Sequence, residues 1–335
     1  MRGCEMKKIY FTTVMSLFMF SCRADPPENP PLLLTEEIIL PHVSERIDHL
    51  DIDLQKQRLF IAAFGTDAFE VLDLRSGTII HSITGLNQPQ GVLFVPEFNK
   101  IYVTSGGTGE CNIFDANSFN PVGSIKFSSD ADNIRYDETA KLIYVGYAAA
   151  LAVINPATDS LVREIELDGH PESFQIQSRG RRIFVNIASD SQIAVIDKRT
   201  HQVITRWWLE SGGGNFPMAL DENNHRLLIG CRTPPSLTVL DTETGKQVSK
   251  LDTDADADDL FYDAARKRIY MSCGEGFIDV FAQIDADHYA EVERIPTTPR
   301  ARTSLFVPEL NRFYLAVPVW GKDIAKIQVY EIPRQ

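Results

Sequence analysis

A basic or polar residue followed by a short β-type run recurs seven times along the chain. The runs are RLFIA at 58, KIYVT at 100, LIYVG at 142, RIFVN at 182, RLLIG at 226, RIYMS at 268 and RFYLA at 312. Their third residues, Phe60, Tyr102, Tyr144, Phe184, Leu228, Tyr270 and Tyr314, stand 42, 42, 40, 44, 42 and 44 residues apart. A second anchor follows each run: VLD, IFD, VIN, VID and VLD end at Asp73, Asp115, Asn155, Asp197 and Asp241, with VFA and VYE ending at Ala282 and Glu331. Polar turns such as RSGT or TETG come next, then a further short strand. Self-similarity at this period, with β-branched and aromatic enrichment and no 3.6-residue pattern, excludes helical repeats and predicts four-stranded propeller blades.

The arithmetic predicts closure. Residues 33–335 divide into seven units of about 43. The last unit ends on its third strand, VYEIPRQ, while LLLTEEIIL (32–40) is a strand with no partner of its own. Placing that strand on the edge of the final blade completes the ring and removes two open edges. The expectation is one all-β domain over 33–335, a seven-bladed β-propeller of four-stranded antiparallel blades with its N-terminal strand closing the last blade.

Residues 1–21 have a different character. Two lysines precede a mostly apolar run from Ile9 to Phe20, and Ser21-Cys22 follows. This is the pattern of a secretory signal peptide, too short for a transmembrane helix. A cysteine in that position resembles a bacterial lipobox, which implies lipidation at Cys22 and residues 22–32 as a Pro-rich tether. The chain is expected to be exported to the bacterial cell envelope, in the periplasm or at the outer membrane, with the lipid as its membrane contact. The formal net charge of −13 argues against a nucleic-acid partner, which needs a concentrated basic face.

KIYVTSG at Lys100–Gly106, its weaker copies in the other units, and the endings VLDLRSGTII, VIDKRTHQVI and VLDTETGKQV resemble YVTN-repeat propellers, within the quinoprotein amine dehydrogenase-like superfamily. The resemblance implies an exported seven-bladed, WD40-like propeller. It implies little about chemistry, because that fold hosts scaffolds, binding proteins and enzymes. The chain lacks the Trp-Asp dipeptide of WD40 repeats and the Cys-x-x-Cys-His haem motif.

In such a ring the loops leading into the first strand of each blade gather at one mouth of the axial channel. Aligned by the repeat they read SERIDH (44–49), NQPQG (87–91), SDADN (129–133), GHPES (169–173), GGNFP (213–217), DADADD (254–259) and PRART (299–303). Asp48, His49, Asp132, Asn133, His170, Glu172, Asp258, Asp259 and Arg302 are the candidate ligand-binding residues. Convergent carboxylates suit a divalent cation such as calcium or a polar small molecule, although Asp, Asn and Gly also simply favour tight turns. DTDADADD (252–259) is not an EF-hand, since Ala257 stands where the glycine is needed. SGGGN (211–215) precedes a strand, so it offers no helix N-terminus to a phosphate. Cys111, Cys231 and Cys273 are expected to be buried and unpaired.

No nucleophile elbow, zincin motif or Cys-x-x-Cys is present. The leading expectation is therefore a monomeric, non-catalytic binding or scaffold protein with no cofactor, taking a protein or small-molecule ligand at an acidic channel mouth. The alternative is a metal-dependent, lactonase-like hydrolase working through the same carboxylates.

Overall fold

The computed structural model describes residues 30–333. Their strands form seven four-stranded antiparallel sheets arranged as a ring, with no α-helix among them. Blades 1 to 6 span 50–84, 89–126, 131–166, 171–208, 213–252 and 257–296, each a simple meander. Blade 7 is composite. Its three C-terminal strands, Thr303–Val307, Arg312–Val317 and Lys326–Glu331, are completed by Leu33–Ile39. That strand pairs antiparallel with Lys326–Glu331, and the Thr35 hydroxyl donates to the Val329 carbonyl at 3.1 Å. The seven-bladed propeller expected from the repeat is present, and so is its closing strand.

The repeat has a packing cause. Both faces of each second strand are covered by neighbouring blades, so the run is apolar throughout instead of alternating. Leu59 and Ile61 pack toward blade 7, whereas Phe60 and Ala62 pack toward blade 2. The other anchors follow the same rule: Tyr102 faces blade 3, Tyr144 blade 4, Phe184 blade 5, Leu228 blade 6, Tyr270 blade 7 and Tyr314 blade 1. All seven are fully buried. The core is therefore seven layers, one between each pair of blades. Burying its large apolar anchor stabilises each layer by about 1.5–3 kcal/mol. The outer strands are covered on one face only, and Thr78–Thr84, for example, is exposed at every second residue.

The polar positions of the repeat are explained as well. Basic residues opening the runs reach the last turn of the next blade: Arg58 donates to Ala116 O at 2.7 Å, Lys100 to Pro156 O at 2.9 Å, and Arg226 pairs with Asp287 at 2.6 Å. The aspartates closing the third strands make Asx turns. Asp73, Asp115, Asp197 and Asp241 each accept the backbone N–H groups two and three residues on.

Cys111, Cys231 and Cys273 are free and buried, and burial pushes their thiols up. SGGGN runs directly into the strand Gly213–Asp221. Trp207 packs on Phe184 with ring centroids 5.7 Å apart, while Trp208 points outward. The segment expected to be a signal sequence, Cys22 and nearly all of the expected tether lie outside the described residues. Among the described residues, no helix is long and apolar enough to cross a membrane.

Candidate functional site at the channel mouth

The first strands of the blades line the axial channel, and the leading loops close one end of it around a polar cavity of about 180 Å³. Seven of the nine residues singled out from the sequence line this cavity: His49, Asp132, Asn133, His170, Glu172, Asp258 and Arg302. The other two do not. Asp48 is 1% exposed and sits behind the wall, paired with Arg46 at 2.6 Å. Asp259 faces a second cavity deeper in the channel, and its carboxylate accepts the Ser304 N–H at 2.7 Å.

The mouth is of mixed charge rather than simply acidic, which corrects the expectation from the loop sequences. Arg232 holds Asp258 at 2.7 Å and lies 3.5 Å over the Phe216 ring. Arg302 bridges Asp256 at 2.7 Å and Asp258 at 2.8 Å. Blades 5, 6, 7 and 1 thus present aspartates already neutralised by arginines. Asp130 and Asp256 also have positive φ, of 41° and 61°, a conformation that aspartate tolerates better than most residues. For these two the turn-forming role is sufficient.

Blades 3 and 4 carry the other wall, where the groups are less satisfied. The His170 Nδ1 donates to the Ala148 carbonyl at 3.0 Å, which leaves Nε2 facing Asp132 Oδ2 at 3.6 Å. Glu172 has no hydrogen bond or ion pair to its side chain among the described residues. One ligand atom from each of Asp132, His170 and Glu172 falls within a 4.8 Å cluster. Asn133 is 3% exposed; its Nδ2 donates to the Glu172 carbonyl at 2.8 Å and meets His49 Nε2 at 3.1 Å, while its Oδ1 has no partner.

Burial governs the titration of these groups. It pushes the Glu172 carboxyl up to about 7, with the neighbouring Asp132 and Asp258 adding to the shift against His170 and Arg232. Asp48 also rises to about 7, burial outweighing Arg46 and His49. Burial alone would lower the two histidines, but the carboxylates around them prevail. His170 is raised to about 9 by Asp132, Asp130 and Glu172, and His49 to about 10 by Asp259, Asp48 and Asp132.

Below His49 the channel widens into the second cavity, of about 500 Å³, which opens on the opposite face. Val92, Phe94, Leu260, Phe261 and Leu305 supply apolar walls, and Asp51 and Arg135 stand among them. Asp51 accepts the Phe94 and Ile52 N–H groups. Burial nevertheless lifts its carboxyl to about 6. Arg135 donates only to its neighbour's carbonyl, Ile134 O, at 3.0 Å among the described residues.

Sequence reasoning did not single out Gln90, Asp130, Ser173, Phe216 or Arg232 at the mouth, nor Asp51 and Arg135 below it. Gln90, Asp130, Ser173 and Phe216 lie inside the aligned loops and were within reach. Arg232 follows the RLLIG run by two residues and gives no signal of its own.

No family model matches the chain, and no curated protein sequence matches it. The fold does match solved structures. A chain of the mitotic checkpoint complex is similar with a TM-score of 0.77 and 13% identity, covering 96% of this chain and 99% of that one. A chain of hydrazine synthase from Kuenenia stuttgartiensis is similar with a TM-score of 0.72 and 16% identity, covering 88% and 97%. At these identities the likeness establishes the propeller fold alone.

Proposed function

We propose that this chain is an exported, lipid-tethered propeller of YVTN-repeat type that binds a small polar ligand, without catalysis, at the channel mouth formed by its leading loops. The fold is compatible with a binding role, and the observation that carries this reading is the asymmetry of the mouth. On the side of blades 5, 6, 7 and 1 the aspartates are met by arginines; on the side of blades 3 and 4, Glu172 and the Asn133 Oδ1 are left without protein partners. Polar groups in such settings ordinarily find partners, so an unpaired carboxylate and an unpartnered amide oxygen on residues lining a polar cavity suit a ligand or ordered water. A volume of about 180 Å³ has room for several waters or for a small ligand.

The binding reading is tested by a thermal-shift screen of amino acids, sugars and divalent salts on residues 22–335. At least one compound should raise the melting temperature of the parent protein and of Glu97→Gln, on the opposite face, but not of Glu172→Gln. No compound behaving in this way would overturn the reading. Tethering is tested separately by fractionating cells that express Cys22→Ala. Release from the membrane fraction is expected, and unchanged membrane association would refute the anchor.

A further inference from the structure

We infer that the wall of blades 3 and 4 is a binding site for a first-row divalent metal ion, with Asp132, His170 and Glu172 as its ligands and the Asn133 amide oxygen beside them. This deepens the binding reading above and rests on it.

Three observations carry the inference. The first is the donor set: one imidazole nitrogen and two carboxylates, with ligand atoms inside a 4.8 Å cluster that adjoins an accessible cavity. The second is the orientation of His170. Metal-bound histidines characteristically give their other N–H to a carbonyl or carboxylate, which fixes the ring and frees one nitrogen. His170 already does so through Nδ1 and the Ala148 carbonyl. Its Nε2 then stands 3.6 Å from Asp132 Oδ2. That separation is long for a direct hydrogen bond. It is close to the roughly 3.4 Å between two ligands that share a tetrahedral ion at about 2.1 Å from each.

The third observation is independent of the triad. Asn133 is almost wholly buried, and its Nδ2 is held by the Glu172 carbonyl, yet its Oδ1 has no partner. An unpartnered buried oxygen on the residue next to Asp132 is one that a cation, or a water bound to one, would satisfy. Imidazole in the donor set favours zinc or manganese over calcium or magnesium, which prefer oxygen alone. This differs from the calcium that the loop carboxylates suggested. The rest of the cavity stays open, so the ion would keep free positions for water or for a small ligand.

The test is calorimetric titration of the chelator-treated chain with zinc, manganese and calcium chlorides. One zinc or manganese equivalent should bind per chain, at least tenfold more tightly than calcium. Asp132→Asn and Glu172→Gln should each weaken it tenfold or more, whereas Asp256→Asn, across the mouth, should leave it unchanged. Cobalt supplies a second readout that does not depend on stability. Its visible ligand-field bands in the parent protein should shift or collapse in His170→Gln. Absence of zinc and manganese binding, or binding that survives both carboxylate substitutions, would overturn the inference. The two readings can fail separately. Stabilisation of the metal-free protein by a small molecule, still dependent on Glu172, would defeat the metal site and preserve the binding mouth. Neither metal nor small-molecule binding would defeat both.

Discussion

The two ends of the channel are built by the same seven first strands, yet they solve opposite problems. The mouth is small and crowded with charge, and most of its charge is cancelled in place: Arg46 on Asp48, Arg232 and Arg302 on Asp258, Arg302 on Asp256. The deeper cavity is nearly three times larger and partly apolar, and its arginine stands apart from any carboxylate within 4 Å among the described residues. His49 lines both cavities and marks the boundary between them. Charge at the mouth is therefore structural on one wall and open on the other. In the chamber below, the apolar walls and sparse hydrogen bonding leave little for a charge to hold together.

The contrast is broken most severely by Arg302→Met. Removing this side chain leaves Arg232 alone to compensate both Asp256, at 3.5 Å, and Asp258, at 2.7 Å, in a half-buried setting, and should destabilise the fold by about 2 kcal/mol, read by chemical denaturation. A loss below about 0.5 kcal/mol would show that the arginine wall is not structural. The chamber is probed next by pH. Asp51 holds its proton more tightly in the folded chain than in the unfolded one, so its contribution is full below about pH 4 and is lost as pH rises through about 6. The stability of the parent protein relative to Asp51→Asn should therefore fall by about 2 kcal/mol between pH 4 and 7. A pH-independent difference would refute the assignment.

The fold was legible in the sequence because its cause is periodic. Every blade buries both faces of its second strand, so Phe60, Tyr102, Tyr144, Phe184, Leu228, Tyr270 and Tyr314 recur with little choice of residue. The closing strand could be read because an unpaired strand and an incomplete blade imply one another. The mouth was legible only as a collection of loops. Its ion pairs join different blades, as Arg232 with Asp258 and Arg302 with Asp256 show, and no local pattern marks them. For that reason the loops read as acidic when the assembled surface is balanced. Asp258 and Asp259 adjoin in sequence but face different cavities, which the pleat of the strand decides. Asp51 and Arg135 lie within first strands, where the sequence alone did not distinguish the side chains turned toward the channel from those turned toward a neighbouring blade.

Smaller effects sharpen the same comparison. Phe216→Ala removes the ring beneath Arg232 and should cost about 1 kcal/mol, measured by denaturation, with no pH dependence. Arg135→Met breaks no ion pair within 4 Å among the described residues and exchanges a desolvated cation for an apolar side chain of similar length. Its effect should be smallest, within about 0.5 kcal/mol of the parent. A large loss there would mean that the chamber, and not only the mouth, is held by charge.

The most direct measurement is the native mass spectrum of the chain isolated from expressing cells without chelators, compared with that of Glu172→Gln. The parent species should be heavier than the polypeptide by one bound ion or small molecule, and the variant should lie at the mass of the bare chain. A bare parent, or an added mass that persists in Glu172→Gln, would contradict the assignment of the blade 3 and 4 wall as the binding site.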